Sequence, residues 1–398
     1  MTDVIREVRG RTGLITLNRP KALNALSLGM IRTLTATLLA WQADPAVQAV
    51  AVRGRGRSAT NPAGGEPFGA FCAGGDIRFF HQAALSGDPA LEDFFTEEYA
   101  LNHLVHSFGK PYVVFMDGIV MGGGMGIAGH GAATSLRIAT ERTKMAMPET
   151  GIGLFPDVGG GWFLARCPGS VGEYLALTGQ VIGAADACMA GLADGALQSD
   201  ELASVWEALA TGGAAAVSEL RERLEKRPLP QSAAAPVTQA RAQIDRFFSL
   251  PDATSIVHAL EADATPWAAE QAAMLRKRSP LMLHVVLEQI RRARHMSLAD
   301  DLRMERDMVR RSFHLRPGAA SETVEGIRAL AVDKDHAPQW KPARLQDVTL
   351  DMVAPFFASP WPAHRHPLRD LRLVAYSCRY TLSASCSSRG RGRSPASA

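Results

Sequence analysis

Apolar residues in the first half of the chain come in two patterns. Leu14 to Leu17, Val47 to Val52 and Tyr112 to Met116 are compact apolar runs of strand length, and apolar alternation begins at Val4, Ile5 and Val8. Leu26 to Trp41 instead carries its apolar residues at helical spacing. Short strands interleaved with helices over roughly the first 195 residues predict an α/β fold. From about Glu201 to Phe357 strand signals fade and helical ones dominate, as in Leu281 to Arg294 and Ser297 to Phe313. Ser297 followed by Asp300 predicts a capping box, with Leu298, Leu302 and Met308 on a buried face. Pro228, Pro230 and Pro236, with Ser232, mark a loop in this helical half. No internal repeat shows a fixed period. The expected division is a core domain over 1–195, a helical region over 196–358 and a tail over 359–398.

Composition adds constraints. At 398 residues and 46% hydrophobic, the chain can bury a substantial core. Five cysteines, Cys72, Cys167, Cys188, Cys378 and Cys386, form no CxxC pair and show no zinc spacing, so free thiols, no metal site and a reducing compartment are expected. Apolar alternation starts almost at Met1, which leaves no room for a cleavable leader, and no apolar run approaches the ~20 residues of a membrane span. The expected location is cytoplasmic, with no membrane partner. The formal charge of +3 is misleading, because the last forty residues hold seven arginines (Arg365, Arg369, Arg372, Arg379, Arg389, Arg391, Arg393) and one acid, Asp370. Without them the remainder carries about −3, which gives no support for a nucleic-acid partner. The Ser, Arg and Gly bias of the tail predicts disorder.

Candidate chemistry centres on Met147 to Gly161, where Glu149 and Asp157 stand eight positions apart among Pro148, Pro156, Gly151, Gly153 and Gly159 to Gly161. Such a segment cannot be a regular helix, and a folded loop can aim both acids into one cavity. Paired carboxylates in different environments suit acid, base or nucleophilic work on a carbonyl. Two further clusters of small residues, Gly122 to Gly124 after a buried strand and Phe71 to Ile77 before a helix, can bring unshielded N–H groups close to a substrate oxygen. Two converging N–H groups make an oxyanion hole, worth about 3 kcal/mol per donor at the transition state. Gly124 to Gly129 also fits GxGxxG, but the strand before it is interrupted by Asp117 and Gly118 and the helix is short, so dinucleotide binding is the weaker reading.

Asn18 to Leu26, Phe71 to Ile77, Gly118 to Gly126 and Met147 to Gly161 together resemble, in order, the signature segments of the crotonase (enoyl-CoA hydratase/isomerase) superfamily. Phe94 to Tyr99, Leu154 to Gly161, Ser297 to Glu305 and Val332 to Pro342 are most similar to its 3-hydroxyisobutyryl-CoA hydrolase branch. The resemblance covers roughly residues 3–357. It implies a spiral of ββα units with two crossed sheets, followed by helices. It also implies an acyl-CoA partner, with coenzyme A entering as part of the substrate and no separate cofactor. The N–H groups of Gly75 and Gly123 would hold the thioester oxygen. Glu149 would be the nucleophile or the base, Asp157 would hold the substrate 3-hydroxyl and help protonate the thiolate, and Glu98 would touch the substrate. Lys21, Ala22, Leu23, Ala25, Ala73, Gly74, Gly75 and Asp76 match segments that bind the nucleotide end of coenzyme A, with Lys334 and Lys341 as candidates for its phosphates.

A hydratase of this superfamily would carry a second glutamate at the position of Gly126 and a glycine in place of Asp157. Hydrolysis of a short 3-hydroxyacyl-CoA, such as 3-hydroxyisobutyryl-CoA or 3-hydroxypropionyl-CoA in valine catabolism, is therefore expected ahead of hydration or isomerisation, with a non-catalytic acyl-CoA-binding protein last. Arg53 to Ala70, with Pro62, Gly64 and Gly65, reads as a mobile flap. Association into homo-oligomers is left open.

Overall fold

A computed structural model of the chain describes residues 2–57, 67–228 and 235–372. Most of the predicted flap, much of the proline loop, Cys378, Cys386 and the tail beyond 372 therefore lie outside the described residues.

The core is a six-stranded sheet in the order β1 (Val4–Arg9), β2 (Thr12–Leu17), β3 (Ala49–Gly54), β4 (Tyr112–Met116), β6 (Ser135–Thr140) and β8 (Gly195–Leu197). β1 pairs antiparallel with β2, and all other pairs are parallel. Strands β2, β3, β4 and β6 are buried along their whole length, as parallel strands covered on both faces must be. Val50, Val52 and Val114 share one core with the apolar face of helix α1 (Leu28–Ala43). On the opposite face Leu14, Ala49, Ala51, Val113 and Phe115 meet Trp206, Leu209 and Leu220 of helix α8 (Leu202–Lys226). That helix, assigned by sequence to the C-terminal region, thus covers the sheet of the core.

After each inner strand the chain crosses to a second, smaller sheet. There β5 (Ile119–Met121) pairs with β7 (Lys144–Ala146), extended by single bridges of Cys72 to Val120, Leu26 to Gly75 and Met145 to Ile182. The chain then turns into a helix: α1, α2 (Ile77–Ser86) and, after β5, the six-residue α4 (Gly123–Ala128). This is the expected ββα spiral. Helix α3 (Ala90–His106) is inserted between α2 and β4.

Beyond the glycine loop come α5 (Gly160–Leu164), α6 (Val171–Thr178) and α7 (Ala184–Met189), all preceding β8. After α8 the described residues form no strand and carry α9 (Pro236–Gln239), α10 (Arg241–Phe248), α11 (Ala253–Ala262), α12 (Pro266–Leu275), α13 (Pro280–Ala293), α14 (Leu298–His314) and α15 (Glu322–Ile327), followed by an irregular stretch with short helical turns. Ser297 caps α14 by accepting the Asp300 N–H, and its hydroxyl donates to the Asp300 carboxylate at 2.7 Å instead of Asp300 reaching back to the Ser297 amide. Leu298, Leu302 and Met308 are buried as expected.

One expectation fails. Residues 359–372, expected to lack order, dock on α14 and α3. The Trp361 ring lies under the Arg306 and Arg310 guanidinium groups, Leu368 is buried, and Arg303 holds the carbonyl of Leu368. An aromatic, a leucine and satisfied backbone carbonyls outweigh the polar composition over this short stretch.

Candidate active site

The glycine loops converge as their lack of side chains allows. A Cβ placed on Gly123 would lie 3.4 Å from the Gly75 N and would collide with Glu98 Oε1, and one on Gly122 would lie 2.8 Å from Glu149 Oε1. The Gly75 and Gly123 amides, Glu98 and Glu149 are therefore neighbours. The bridge of Cys72 to Val120 fixes the first loop beside the second, and Gly122 at φ 49° makes the turn into α4.

Glu149 opens a 3-10 turn, Glu149–Ile152, closed by Gly153 at φ 66° with the Leu154 N–H on the Glu149 carbonyl at 3.0 Å. The expected loop is thus a tight helical turn. Asp157 follows on the next bend and accepts the Tyr99 hydroxyl at 2.8 Å on Oδ2. Glu98, Glu149 and Asp157 are all buried, and neither Glu98 Oε1 nor Glu149 Oε2 has a hydrogen-bond partner among the described residues.

Burial, reinforced by mutual repulsion, holds these carboxyls above the usual range. Glu149 is raised well above it by burial and then by Asp157. Glu98 is raised likewise by burial, then by Asp157 and Glu149. Asp157 is pushed up to about 6 by burial, while the Tyr99 hydrogen bond pulls it down. Two buried glutamates beside the Gly75 and Gly123 amides, with Asp157 close enough to raise both, form a site where a carboxylate can attack or activate water beside a polarised carbonyl.

The segments expected to bind a nucleotide also come together. Leu23, at φ 52°, accepts the Ala73 N–H at 3.1 Å, and the Leu26 N–H reaches the Gly74 carbonyl at 2.8 Å. Asp76 pairs with Arg19 at 3.4 Å. Lys21 and Ala22 are exposed at the rim, and Ala25, Gly75 and Asp76 are half-buried. Lys334 and Lys341 are exposed, and among the described residues no side-chain contact ties either to this rim.

Gly126, at the position of the hydratase glutamate, has no room for a side chain. A Cβ there would lie 2.6 Å from Val158 Cβ and 2.7 Å from Asn102 Nδ2. Asn102 itself is fully buried, one turn after Glu98 on α3. The GxGxxG match is thus a helix of six residues packed against α3.

Sequence reasoning missed several residues. Tyr99 lay in a quoted motif without a role. In sequence Asp301 and Glu305 carry no role within the Ser297 to Glu305 segment, yet both are fully buried, with Glu305 accepting the Gly159 and Gly161 N–H groups and Asp301 that of Trp162. The available signal was the conjunction of Ser297 to Glu305 with three successive glycines, since buried carboxylates need backbone donors and donors this close need glycine. Among the described residues no group of three or more His, Cys, Asp or Glu is placed to hold a metal ion, and no helix is long and apolar enough to cross a membrane.

Residues 12–357 match the family model described as enoyl-CoA hydratase/isomerase. The chain is similar to the mitochondrial 3-hydroxyisobutyryl-CoA hydrolase of Rattus norvegicus, 39% identical over 90% of this chain and 89% of that protein. It is 38% identical to the Homo sapiens protein of the same name, again over 90% and 89%. Among solved structures, a carnitinyl-CoA dehydratase from Mycobacterium thermoresistibile is 38% identical, with a TM-score of 0.77 over 93% of this chain and 99% of that one. An enoyl-CoA hydratase from Rhodobacter sphaeroides is 35% identical, with a TM-score of 0.76 over 90% and 98%.

Proposed function

The chain belongs to the enoyl-CoA hydratase/isomerase family, and from that premise we propose that it is an acyl-CoA thioester hydrolase acting on short 3-hydroxyacyl-CoA substrates, 3-hydroxyisobutyryl-CoA first among them and 3-hydroxypropionyl-CoA second. The observation that carries this reading is buried Glu149 and Glu98 beside the Gly75 and Gly123 amides, with buried Asp157 near enough to both to raise them and no space for a side chain at Gly126. The hydrolase relatives, similar over 90% of the chain, support it.

The thioester oxygen sits on the Gly75 and Gly123 N–H groups, which stabilise the negative charge that develops when the carbonyl carbon is attacked. Asp157, oriented by Tyr99, accepts the substrate 3-hydroxyl, and Glu98 lies beside the acyl group. Glu149 supplies the attack by one of two routes. As a base it takes a proton from water, hydroxide adds to the carbonyl, the C–S bond breaks and the proton passes to the thiolate. As a nucleophile it forms a mixed anhydride with loss of the thiolate, and water then cleaves the anhydride. Lys21, Ala22, Leu23, Ala25 and Ala73 to Asp76 hold the nucleotide end of coenzyme A.

Hydration of an enoyl-CoA is the second reading, favoured by the names of the two solved structures. In the hydratases that this chain resembles, the water is shared with a glutamate at the position of Gly126, where a Cβ would lie 2.6 Å from Val158 Cβ. Release of free thiol from 3-hydroxyisobutyryl-CoA, followed beside loss of crotonyl-CoA absorbance, separates the two: thiol release supports hydrolysis, and crotonyl-CoA consumption alone supports hydration. Free Cys72, Cys167 and Cys188 suit a reducing compartment. The narrower cytoplasmic expectation draws no support from the relatives, whose names place them in mitochondria.

A further inference from the structure

Asp157 is followed by two left-handed residues, Val158 at φ 58° and Gly159 at φ 83°. Glycine adopts this backbone freely, whereas a β-branched residue there is strained. Such strain persists only where the surroundings impose it.

The surroundings grip every peptide of the turn. Gln289 Nε2 donates to the Pro156 carbonyl at 2.7 Å, the Gly160 N–H donates to the Asp157 carbonyl at 2.8 Å, and His130 Nε2 lies 2.7 Å from the Val158 carbonyl. The Gly159 N–H then donates to Glu305 Oε2 at 2.7 Å and the Gly161 N–H to Glu305 Oε1 at 2.9 Å, so both oxygens of one carboxylate are used. The Trp162 N–H donates to Asp301 Oδ2 at 2.9 Å, one turn earlier on α14. A Cβ on Gly161 would collide with Asp301 Oδ1, which explains the residue at that position. The residue after Glu305 is Arg306, which donates to Thr96 Oγ1 at 2.9 Å and pairs with Glu92, both on α3. One turn of α14, 146 positions from Gly159 in the chain, thus ties the Asp157 loop to the helix that carries Glu98 and Tyr99.

We propose that Glu305 is a positioning residue for Asp157: by binding the Gly159 and Gly161 N–H groups it imposes the strained Val158–Gly159 turn that aims Asp157 at the acyl group. The proposal rests on the thioester-hydrolase reading. Glu305 touches no reacting atom, and the segments that hold coenzyme A, 20–25 and 73–76, are separate from it. Without the clamp Val158 relaxes toward negative φ and Asp157 turns aside, so turnover falls while binding of the coenzyme end is kept.

The test uses the full chain with Glu305→Gln, alone and combined with Val158→Gly. Gln keeps one acceptor and turns an N–H toward the other donor. The expected result is a kcat at least ten times lower with KM for the 3-hydroxyacyl-CoA within about twofold, and several-fold recovery of kcat in the double variant, because glycine takes the left-handed turn without strain. A purely structural role predicts no recovery, since a second substitution would only weaken the fold further. If Glu305→Gln does not fold, Glu305→Asp with the same partner substitution decides by the same two readouts. A kcat within twofold of wild type, or a double variant no faster than the single, overturns the positioning role while leaving the hydrolase reading intact. A wild type that releases no thiol overturns both.

Discussion

Tyr99 donates its hydroxyl to Asp157 Oδ2 at 2.8 Å, and so joins the acid of the glycine loop to the helix that carries Glu98. Burial, followed by the Asp157 charge, holds the phenol well above its usual range, so it stays a donor at any working pH.

This bond opposes the burial that pushes Asp157 up to about 6. The mechanism needs the acids ionised, so kcat/KM is expected to rise with pH across the region above about 6, higher than for ordinary carboxylates. Tyr99→Phe removes the pull, and the rising limb moves to higher pH by about one unit. A pH profile from 5 to 9 checks this, and an unmoved limb would take Asp157 out of the rate-limiting ionisation.

Asp301 is pushed up to about 7 by burial, against about 3.9 in an unfolded chain. The folded state therefore holds a proton that the unfolded state has lost, and this contribution to stability is full below about pH 4 and lost as pH rises through 7. Asp301→Asn keeps an oxygen for the Trp162 N–H and removes the titration. Its Tm relative to wild type is expected to improve from pH 5 to pH 8. A difference that is flat with pH contradicts the assigned ionisation.

Gly126→Glu restores the hydratase residue in name only. Its Cβ meets Val158 and Asn102 inside normal contact distance, so a destabilisation of about 1–3 kcal/mol is expected, without crotonyl-CoA hydration. Urea unfolding and the absorbance assay measure the two effects. A stable variant that hydrates crotonyl-CoA would show that packing does not separate the branches.

Ending the chain after Ala358 removes Trp361 from Arg306 and Arg310 and buried Leu368 from its core. Burial of one leucine contributes about 2 kcal/mol and an Arg–Trp contact about 1 kcal/mol, so Tm is expected to fall by a few degrees. An unchanged Tm would make the docked 359–372 segment energetically neutral.

Much of this was legible in the sequence. β2, β3 and β4 showed as apolar runs because parallel strands covered on both faces carry little polar signal, and α1, α13 and α14 showed as periodic stripes. The four segments Asn18 to Leu26, Phe71 to Ile77, Gly118 to Gly126 and Met147 to Gly161 stood out in the sequence, and the structure brings them together. The ββα repeat was not legible, because the links between its turns vary: α3 is inserted before β4, and only three residues of β5 or β7 mark the second sheet. The clamp was hidden because Asp301 and Glu305 obey the statistics of an exposed helix face. Only three dimensions show that their partners are amides freed by glycine. The order of 359–372 was hidden because a few anchors, Trp361, His366 and Leu368, sit in a polar, proline-rich context.

The central claim is that Glu149 drives cleavage of a thioester. Thiol release from 3-hydroxyisobutyryl-CoA, followed for wild type and Glu149→Gln at equal substrate occupancy, tests it most directly. Stoichiometric release by wild type with a loss of roughly a thousandfold or more in the variant is the expected result. Equal release by both proteins, or none by wild type while crotonyl-CoA is rapidly consumed, contradicts it.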